Sequence, residues 1–512
     1  MKKKYSLIAI VFMLCAFCSI AQAPHEKETL IVIPSPLTVG IDDMGWKQGW
    51  STDVDSLKPH HIDAPEGRWM GMADYKVVVE IAKNVNSRLL GLFIMSEFDR
   101  SNICSEFPTT TEEGENWDNS HRMSDDDHRI MNYIKDNAAY LEFGLHGVRH
   151  NHWKDGKKHG EFARHNFNKN PHPVDEMQQH LECYKRLIDQ YDITFPKTFV
   201  PPRHCYYHNP EDTMDTGGLM ASWGIKYVSW GHKYWLYYEQ YVVNPMSELQ
   251  FDNGVLVIER DQTIPWKKSV GISMDSIATD FYYETTHWHN FIAATPDENH
   301  LIAQKWIHWF NLVKDSHDRY LPKNTAQLYS QALYLKYAKI DITGNRIVID
   351  NSQLPDWAYD RELVGNLVIK ILLPKDEHIS SVSIDTDAQI TSFYEEGDYG
   401  YVILPELKQK KYEIEIKTGS GILSNCVINN GTYNIKQLEL NHDKVLLEVE
   451  MYGTQNLHIR LEGTKPQEVK SCTEDLLVNS WEWDDQEKIC EINITANDVQ
   501  GVQGEIVLDV TR

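Results

Sequence analysis

The hydrophobic pattern of this chain changes period once, near residue 338, and that change constrains the fold more than any other feature. From residue 30 to about 320, short apolar runs alternate with amphipathic stretches. Leu30 to Ile33, Leu89 to Met95, Tyr140 to Leu145, Lys197 to Val200, Ile225 to Ser229 and Val255 to Glu259 read as buried strands. Tyr75 to Lys83, Asp125 to Asn137 and Val174 to Gln190 read as helices between them. Strands alternating with helices predict a parallel sheet or barrel, because parallel neighbours need a crossover that a helix supplies. Thr295-Pro296-Asp297-Glu298 offers an N-cap, a proline at the first helical position and an acidic first turn, which predicts a helix to about Ser316.

After Tyr337 no helical period persists. Lys339 to Asp350, Asn366 to Leu373 and Tyr412 to Lys417 alternate or run apolar, with Gly, Asn and Asp at the turns. Gly419-Ser420-Gly421 is a linker candidate, and a second group of strands follows, from Lys444 to Tyr452 through Glu505 to Val510. The expected division is a leader over 1–23, an α/β domain over 24–337, a β-sandwich over 338–418 and a second β-sandwich over 419–512. Two polar segments of the α/β half, Arg100 to Ser124 and His152 to Pro173, read as loop insertions that shape a cleft.

The leader has a basic start (Lys2, Lys3, Lys4), an apolar stretch from Tyr5 to Cys18 and an Ala21-Gln22-Ala23 cleavage signal, so export to the periplasm or outside the cell is expected. No later stretch reaches the ~18 apolar residues of a membrane span. Lys and Arg number 50 against 75 Asp and Glu, a formal net charge of −25. That balance disfavours nucleic acid and anionic surfaces as partners. The six cysteines after the leader form no C-x-x-C pair, so a cysteine zinc site is not expected. Cys472 and Cys490 flank a hairpin and are the favoured disulfide pair.

Chemistry-bearing residues gather at the ends of strands. Gly40-Ile41-Asp42-Asp43 follows the first strand region. Two adjacent carboxylates repel unless a cation or solvent separates their charge. His146 and His150 follow a strand and a glycine. Two histidines and an aspartate make a metal site with positions left open for water and substrate. Pro201-Pro202-Arg203-His204-Cys205-Tyr206 places an arginine where it could hold a carboxylate by a bidentate bond. Trp230 closes one strand, and His287 and His289 close another.

The order of these clusters resembles the polysaccharide deacetylase superfamily, the NodB-homology group of metal-dependent carbohydrate esterases. The resemblance covers about residues 30–320, and Gly144-Leu145-His146-Gly147 leading into His150 is its most specific part. It implies an α/β fold, a distorted (β/α) barrel of NodB type with its site at the strands' C-terminal mouth, ahead of the two β-sandwiches. It implies that Asp42 is the catalytic base, that Asp43, His146 and His150 hold a divalent metal, with zinc expected, and that Arg203 orients the base. Trp230 matches the fourth-motif aromatic, and His287 or His289 the general acid. If the segment is extended, alternation puts both histidines on one face, and His287 is preferred as nearer the strand. Tyr206 is a candidate for steadying the oxyanion, and with Trp230 and His289 for lining the substrate site. The chain departs from the family pattern at Gly40, where Thr or Ser is usual, and at Gly147, where Ser or Thr is usual.

The leading expectation is an exported metal-dependent hydrolase that removes acetyl groups from a polysaccharide or oligosaccharide. One alternative is a glycoside hydrolase on a related barrel, pairing Asp42 with Asp212 or Glu284. Another is a non-catalytic glycan-binding protein that works through its β domains.

Overall fold

The computed structural model describes residues 30–510, apart from 48–49, 53–58, 62–68, 163–171, 232–248, 261–276, 278–281, 386–391, 442 and 464. The expected leader lies outside the described residues.

The chain is mixed α/β, with a curled half-barrel sheet. Its first strand, β1 (Leu30–Val32), corrects the sequence reading. It is a strand, but it leaves the α/β half and pairs antiparallel with Leu367–Leu372 of the β half. Ile31 is buried there in one core with Ile369 and Ile371. A three-residue apolar run carries no information about which sheet it will join.

The half-barrel proper is built from β2 (Thr38–Met44), helix α1 (Met72–Val85), β3 (Leu89–Phe93), α2 (Asp126–Asp136), β4 (Leu141–Leu145), α3 (Val174–Asp189), β5 (Thr198–Phe199), α4 (Thr216–Ser222), β6 (Tyr227–Trp230), β7 (Val255–Glu259) and β8 (Tyr283–His287). The sheet order is Leu249–Asp252, β7, β6, β5, β4, β3, β2, β8. All neighbours are parallel except Leu249–Asp252, which runs antiparallel to β7. The two edges do not pair among the described residues.

Both faces of this sheet are covered, which is why β3 reads as a continuous apolar run, β7 is apolar up to Ile258, and β3, β4 and β7 are buried throughout. Val39, Phe93, Phe143, Phe199 and Val257 face the outer helices, among them α1, α3 and α5 (Asn299–Asp315). Leu90, Leu92, Tyr227, Leu256, Ile258 and Tyr283 face inward onto α6 (Thr325–Tyr337). Helix α6 is buried from Gln327 to Tyr334, and Tyr329 donates from its hydroxyl to the Val228 carbonyl at 2.7 Å. It fills the open side of the half-barrel and packs its far side on the β half.

The β half is layered. An eight-stranded sheet runs β1, Leu367–Leu372, Tyr399–Leu404, Ser392–Glu396, Cys426–Ile428, Thr454–Arg460, Ile489–Ala496, Leu476–Asp484. Two four-stranded sheets share its cores, one built on Arg346–Asp350 and Lys411–Gly419, the other on Lys444–Met451 and Val502–Asp509. The two β units are therefore not separate as expected. A parallel pairing of Ser392–Glu396 with Cys426–Ile428 makes one sheet continuous through both.

The second β unit docks at the N-terminal ends of β3 and β4. Arg88 donates to the carbonyls of Ala138 and Val499 at 2.7 Å each and to Glu142 Oε2 at 3.0 Å, and its guanidinium lies 4.1 Å over Tyr452. Beside this contact is a polar cavity of about 780 Å³ lined by Glu142, Lys197, Tyr227, Glu450 and others. The Asp43, His146 and His150 cluster lies at the opposite ends of the strands.

The segments read as insertions carry structure. Ile103, Cys104 and Trp117 anchor the first by short 3-10 turns, and the second begins as a hairpin, Asn151–Lys154 with Lys157–Gly160.

Candidate metal centre

β2 and β8 lie side by side, and their register sets Asp42 directly opposite His287. An unbroken strand would send Asp42 and Asp43 to opposite faces. The register between β2 and β3 slips between Ile41 and Met44, and Asp43 adopts φ 67°. This bulge brings Asp43 round to the ends of the strands, where β4 delivers two histidines. Asp43 Oδ1 lies 3.5 Å from His146 Nε2 and 3.7 Å from His150 Nε2. Two ligands of one tetrahedral ion, each bonded at about 2.1 Å, stand about 3.4 Å apart, so the spacing fits.

The tautomer fits as well. His146 Nδ1–H donates to the Val200 carbonyl at 2.8 Å, which leaves the Nε2 lone pair facing Asp43. The imidazole planes of His146 and His150 meet at 61°, so their in-plane lone pairs can converge. Asp43 Oδ1 is buried without a hydrogen-bond partner. Burial alone would raise the Asp43 carboxyl, but the facing imidazoles of His146, His150 and His287 hold it well below the usual range. Burial pushes His150 down to about 3. His146 goes up despite burial, because Asp42 and Asp43 both favour positive charge there. Asp43, His146 and His150 together could hold a metal ion.

Two other clusters could also hold a metal, and their geometry suits it less. His152 and His172 stack at 3.9 Å and 20°, His172 Nε2 is hydrogen-bonded to the Gly160 carbonyl at 2.9 Å, and Glu176 already accepts from His152 Nε2 at 3.0 Å and from Lys154. His208 is held by Asp252 at 2.9 Å, and Asp215 caps helix α4. Among the described residues, no cluster includes a side chain beyond Asp252.

The arginine expectation needs correcting. Arg203 donates to Asn151 Oδ1 at 3.2 Å and makes no hydrogen bond to Asp42. Asp42 is held by Arg260, one residue past β7, whose Nη1 bridges both carboxylate oxygens at 3.0 and 2.9 Å. Both partners are buried. Arg260 follows a strand as plainly as Arg203 does, and strand-end position is the signal that could have found it. Arg203 is instead part of a strained turn. It and His204 take φ of 54° and 56° in succession. With Asp43 and His150 at 67° and 65°, four non-glycine residues in the left-handed region crowd one site, where such strain commonly marks function. His204, quoted in the sequence motif without a role, is close enough to Arg260, His287, His146 and His150 for burial and their charges to press it well below its ordinary value.

The remaining candidates separate. β8 ends at His287, and His289 belongs to the 3-10 turn Trp288–Phe291, so the alternation argument does not apply to it. His287 is lowered mainly by burial, with Asp43 and Asp42 opposing. His289 accepts or donates at 3.3 Å with Asn290. The Tyr206 hydroxyl, expected near an oxyanion, donates to Asp252 Oδ2 at 2.6 Å. Trp230 is 3% exposed, stacks on Tyr206 at 5.1 Å and donates to the His204 carbonyl at 3.2 Å. It belongs to the core shared with the outer helices and offers no open face to a sugar. Of the carboxylates considered as partners for Asp42 in a glycosidase, Asp212 accepts from the Met214 amide at 3.0 Å in a turn. Glu284 lies three residues before His287 on β8, which an extended strand directs to the opposite face.

Gly40 and Gly147 each have a local structural reason to be glycine. A Cβ at Gly40 would overlap the Tyr283 hydroxyl. Gly147 has φ 94°, and a Cβ there would overlap the Glu161 carboxylate, which accepts from the Val148 amide at 2.7 Å and so braces the histidine loop.

No protein-family model matches the chain, and no curated protein is similar to it.

Proposed function

We propose that this protein is an exported metal-dependent hydrolase that removes acetyl groups from a glycan, on a distorted (β/α) barrel of NodB type followed by two β-sandwich units. The observation that carries the reading is Asp43 Oδ1, buried, without a hydrogen-bond partner, and facing the Nε2 atoms of two histidines.

Asp43, His146 and His150 would hold the ion, and two nitrogens with one carboxylate suit zinc. When bound, it supplies a Lewis acid that polarises a carbonyl and makes water acidic enough to attack at neutral pH. Asp42 takes the proton of the attacking water. Its pairing with Arg260 fixes its orientation and balances its charge in a buried place. His287, opposite Asp42, gives a proton to the departing amine or alkoxide. A histidine held below its ordinary pKa releases a proton readily once it has one, which suits that step. The β units sit at the other end of the strands and contribute scaffold or glycan docking.

The test is metal content with acetate release. Purified protein should hold about one zinc at this site and release acetate from at least one member of a panel of N- and O-acetylated glycans. His150→Ala should lose most of that zinc and keep its circular dichroism. Unchanged zinc in a folded His150→Ala protein removes this site from the reading. Glycan cleavage that survives complete chelation replaces it with the glycosidase alternative.

A further inference from the structure

The structure does not place Cys472 and Cys490 as a pair. Cys472 is exposed just past Glu468–Ser471, while Cys490 is buried in the core of the second β unit. It brings another two together. Cys104 Sγ and Cys183 Sγ lie 3.9 Å apart, both fully buried, although 79 positions separate them in sequence.

Their surroundings look like a seam. On α3, residues spaced by three face the segment Cys104 to Thr109 one after another. His180 Nε2 is hydrogen-bonded to the Thr109 hydroxyl at 3.1 Å, Cys183 meets Cys104, and Arg186 forks onto Glu106 at 2.8 Å through both terminal nitrogens. The Arg186 guanidinium also lies 5.5 Å over the Phe107 ring. On the other side, Asp99 accepts from the amides of Ile103 and Cys104 at 2.9 Å each. Both sulfur-bearing backbones are thus fixed, one on a helix and one on a pinned 3-10 turn. The sulfurs are already in van der Waals contact, and a disulfide needs a further approach to about 2.05 Å.

We propose that Cys104 and Cys183 close a disulfide that ties the segment Arg100 to Ser124 onto α3. The oxidant is a small or protein disulfide of an oxidising export compartment. One cysteine thiolate attacks it, forming a mixed disulfide and releasing one thiol. The second cysteine thiolate then displaces the other sulfur. The two protein thiols are oxidised, the incoming disulfide is reduced to two thiols, and the two protons leave with them. Because both sulfurs are sealed in the folded chain, the bond forms during folding. Its effect is mechanical. The tied segment carries Trp117, whose ring lies 4.8 Å under the Arg149 guanidinium, and Arg149 sits between the metal ligands His146 and His150 in sequence. A covalent seam would hold that wall of the site in place. The proposal rests on the export reading for its oxidant in the cell, and on nothing in the metal chemistry.

The full chain is unfolded in denaturant with reductant, refolded in a buffer of oxidised and reduced glutathione, then denatured without reductant, alkylated and digested. The expected product is a single cross-linked peptide pair holding Cys104 and Cys183, lighter by two hydrogens than its reduced form, with every other cysteine alkylated. Oxidised wild type should melt several degrees above the same protein refolded and kept in reductant. Full alkylation of both residues in correctly refolded protein overturns the proposal, as does pairing of either with another cysteine. A bond that forms on refolding but is absent from protein made in cells supports the seam and counts against export.

Discussion

One nitrogen of Arg260 bridges both oxygens of Asp42 across 218 positions of sequence, at 3.0 and 2.9 Å, and buries both charges in doing so. Removing one partner of such a pair leaves the other charged and alone. Arg260→Ala should therefore destabilise the fold by about 3–5 kcal/mol, read from urea midpoints. Arg260→Lys keeps a charge but loses the planar head, and should lower turnover about tenfold to a hundredfold while zinc content is unchanged. Arg203→Ala should reduce turnover less than Arg260→Lys does. The reverse ranking would return the orienting role to Arg203.

The aspartate pair should divide its labour. Asp42→Asn keeps shape and removes the base, so it should retain metal and lose turnover by about 10²–10⁴-fold. Asp43→Asn should weaken metal binding, and added zinc should partly restore its rate. Equilibrium dialysis of both variants separates the roles. Loss of metal in Asp42→Asn with retention in Asp43→Asn exchanges them.

Tyr206→Phe removes only a hydroxyl already engaged with Asp252. Turnover should stay within about threefold of wild type, with stability lower by about 1–2 kcal/mol. A loss of a hundredfold or more in kcat would put that hydroxyl back at the reaction centre.

His208 gives a pH dependence. Burial alone would lower it, but its hydrogen bonds to Asp215 and Asp252 raise it to about 9. A group raised on folding stabilises fully below its unfolded value of about 6.5, and that contribution disappears as pH rises through about 9. Its worth is on the order of 3 kcal/mol at most, and less once solvent screening is allowed for. Wild type should lose up to this much between pH 6.5 and 9.5 relative to His208→Gln. Parallel stability curves for the two proteins would mean that His208 is neutral in the fold.

Gly147→Ser introduces the hydroxyl residue usual in the superfamily that the sequence motifs resemble. Here it should be harmful, because φ 94° strains any side chain and Glu161 occupies the space. The variant should bind zinc more weakly than wild type in a chelator competition. Equal affinity would show that Glu161 can move aside.

What could be read along the chain were features that depend on neighbours in sequence. The apolar runs Leu89–Phe93 and Val255–Glu259, the helix after Pro296 and the loss of helical period after Tyr337 are local patterns set by strand and helix periods, and the nearness of His146 to His150 is one of sequence spacing alone. Tertiary structure decided everything that depends on which strand lies beside which. Arg203 and Arg260 both follow short apolar strands, and only the sheet order and the inward face of β7 put Arg260 on Asp42. Alternation placed Asp42 and Asp43 on opposite faces, until a slip against β3 turned Asp43 onto the histidines. Leu30–Val32 joined a sheet more than 330 residues away, and Cys183 met Cys104 in place of any nearer cysteine. Local patterns cost a chain little entropy to form and so leave their period in the sequence. Long-range contacts are chosen by the burial available once the sheets have packed, and no residue records that choice alone.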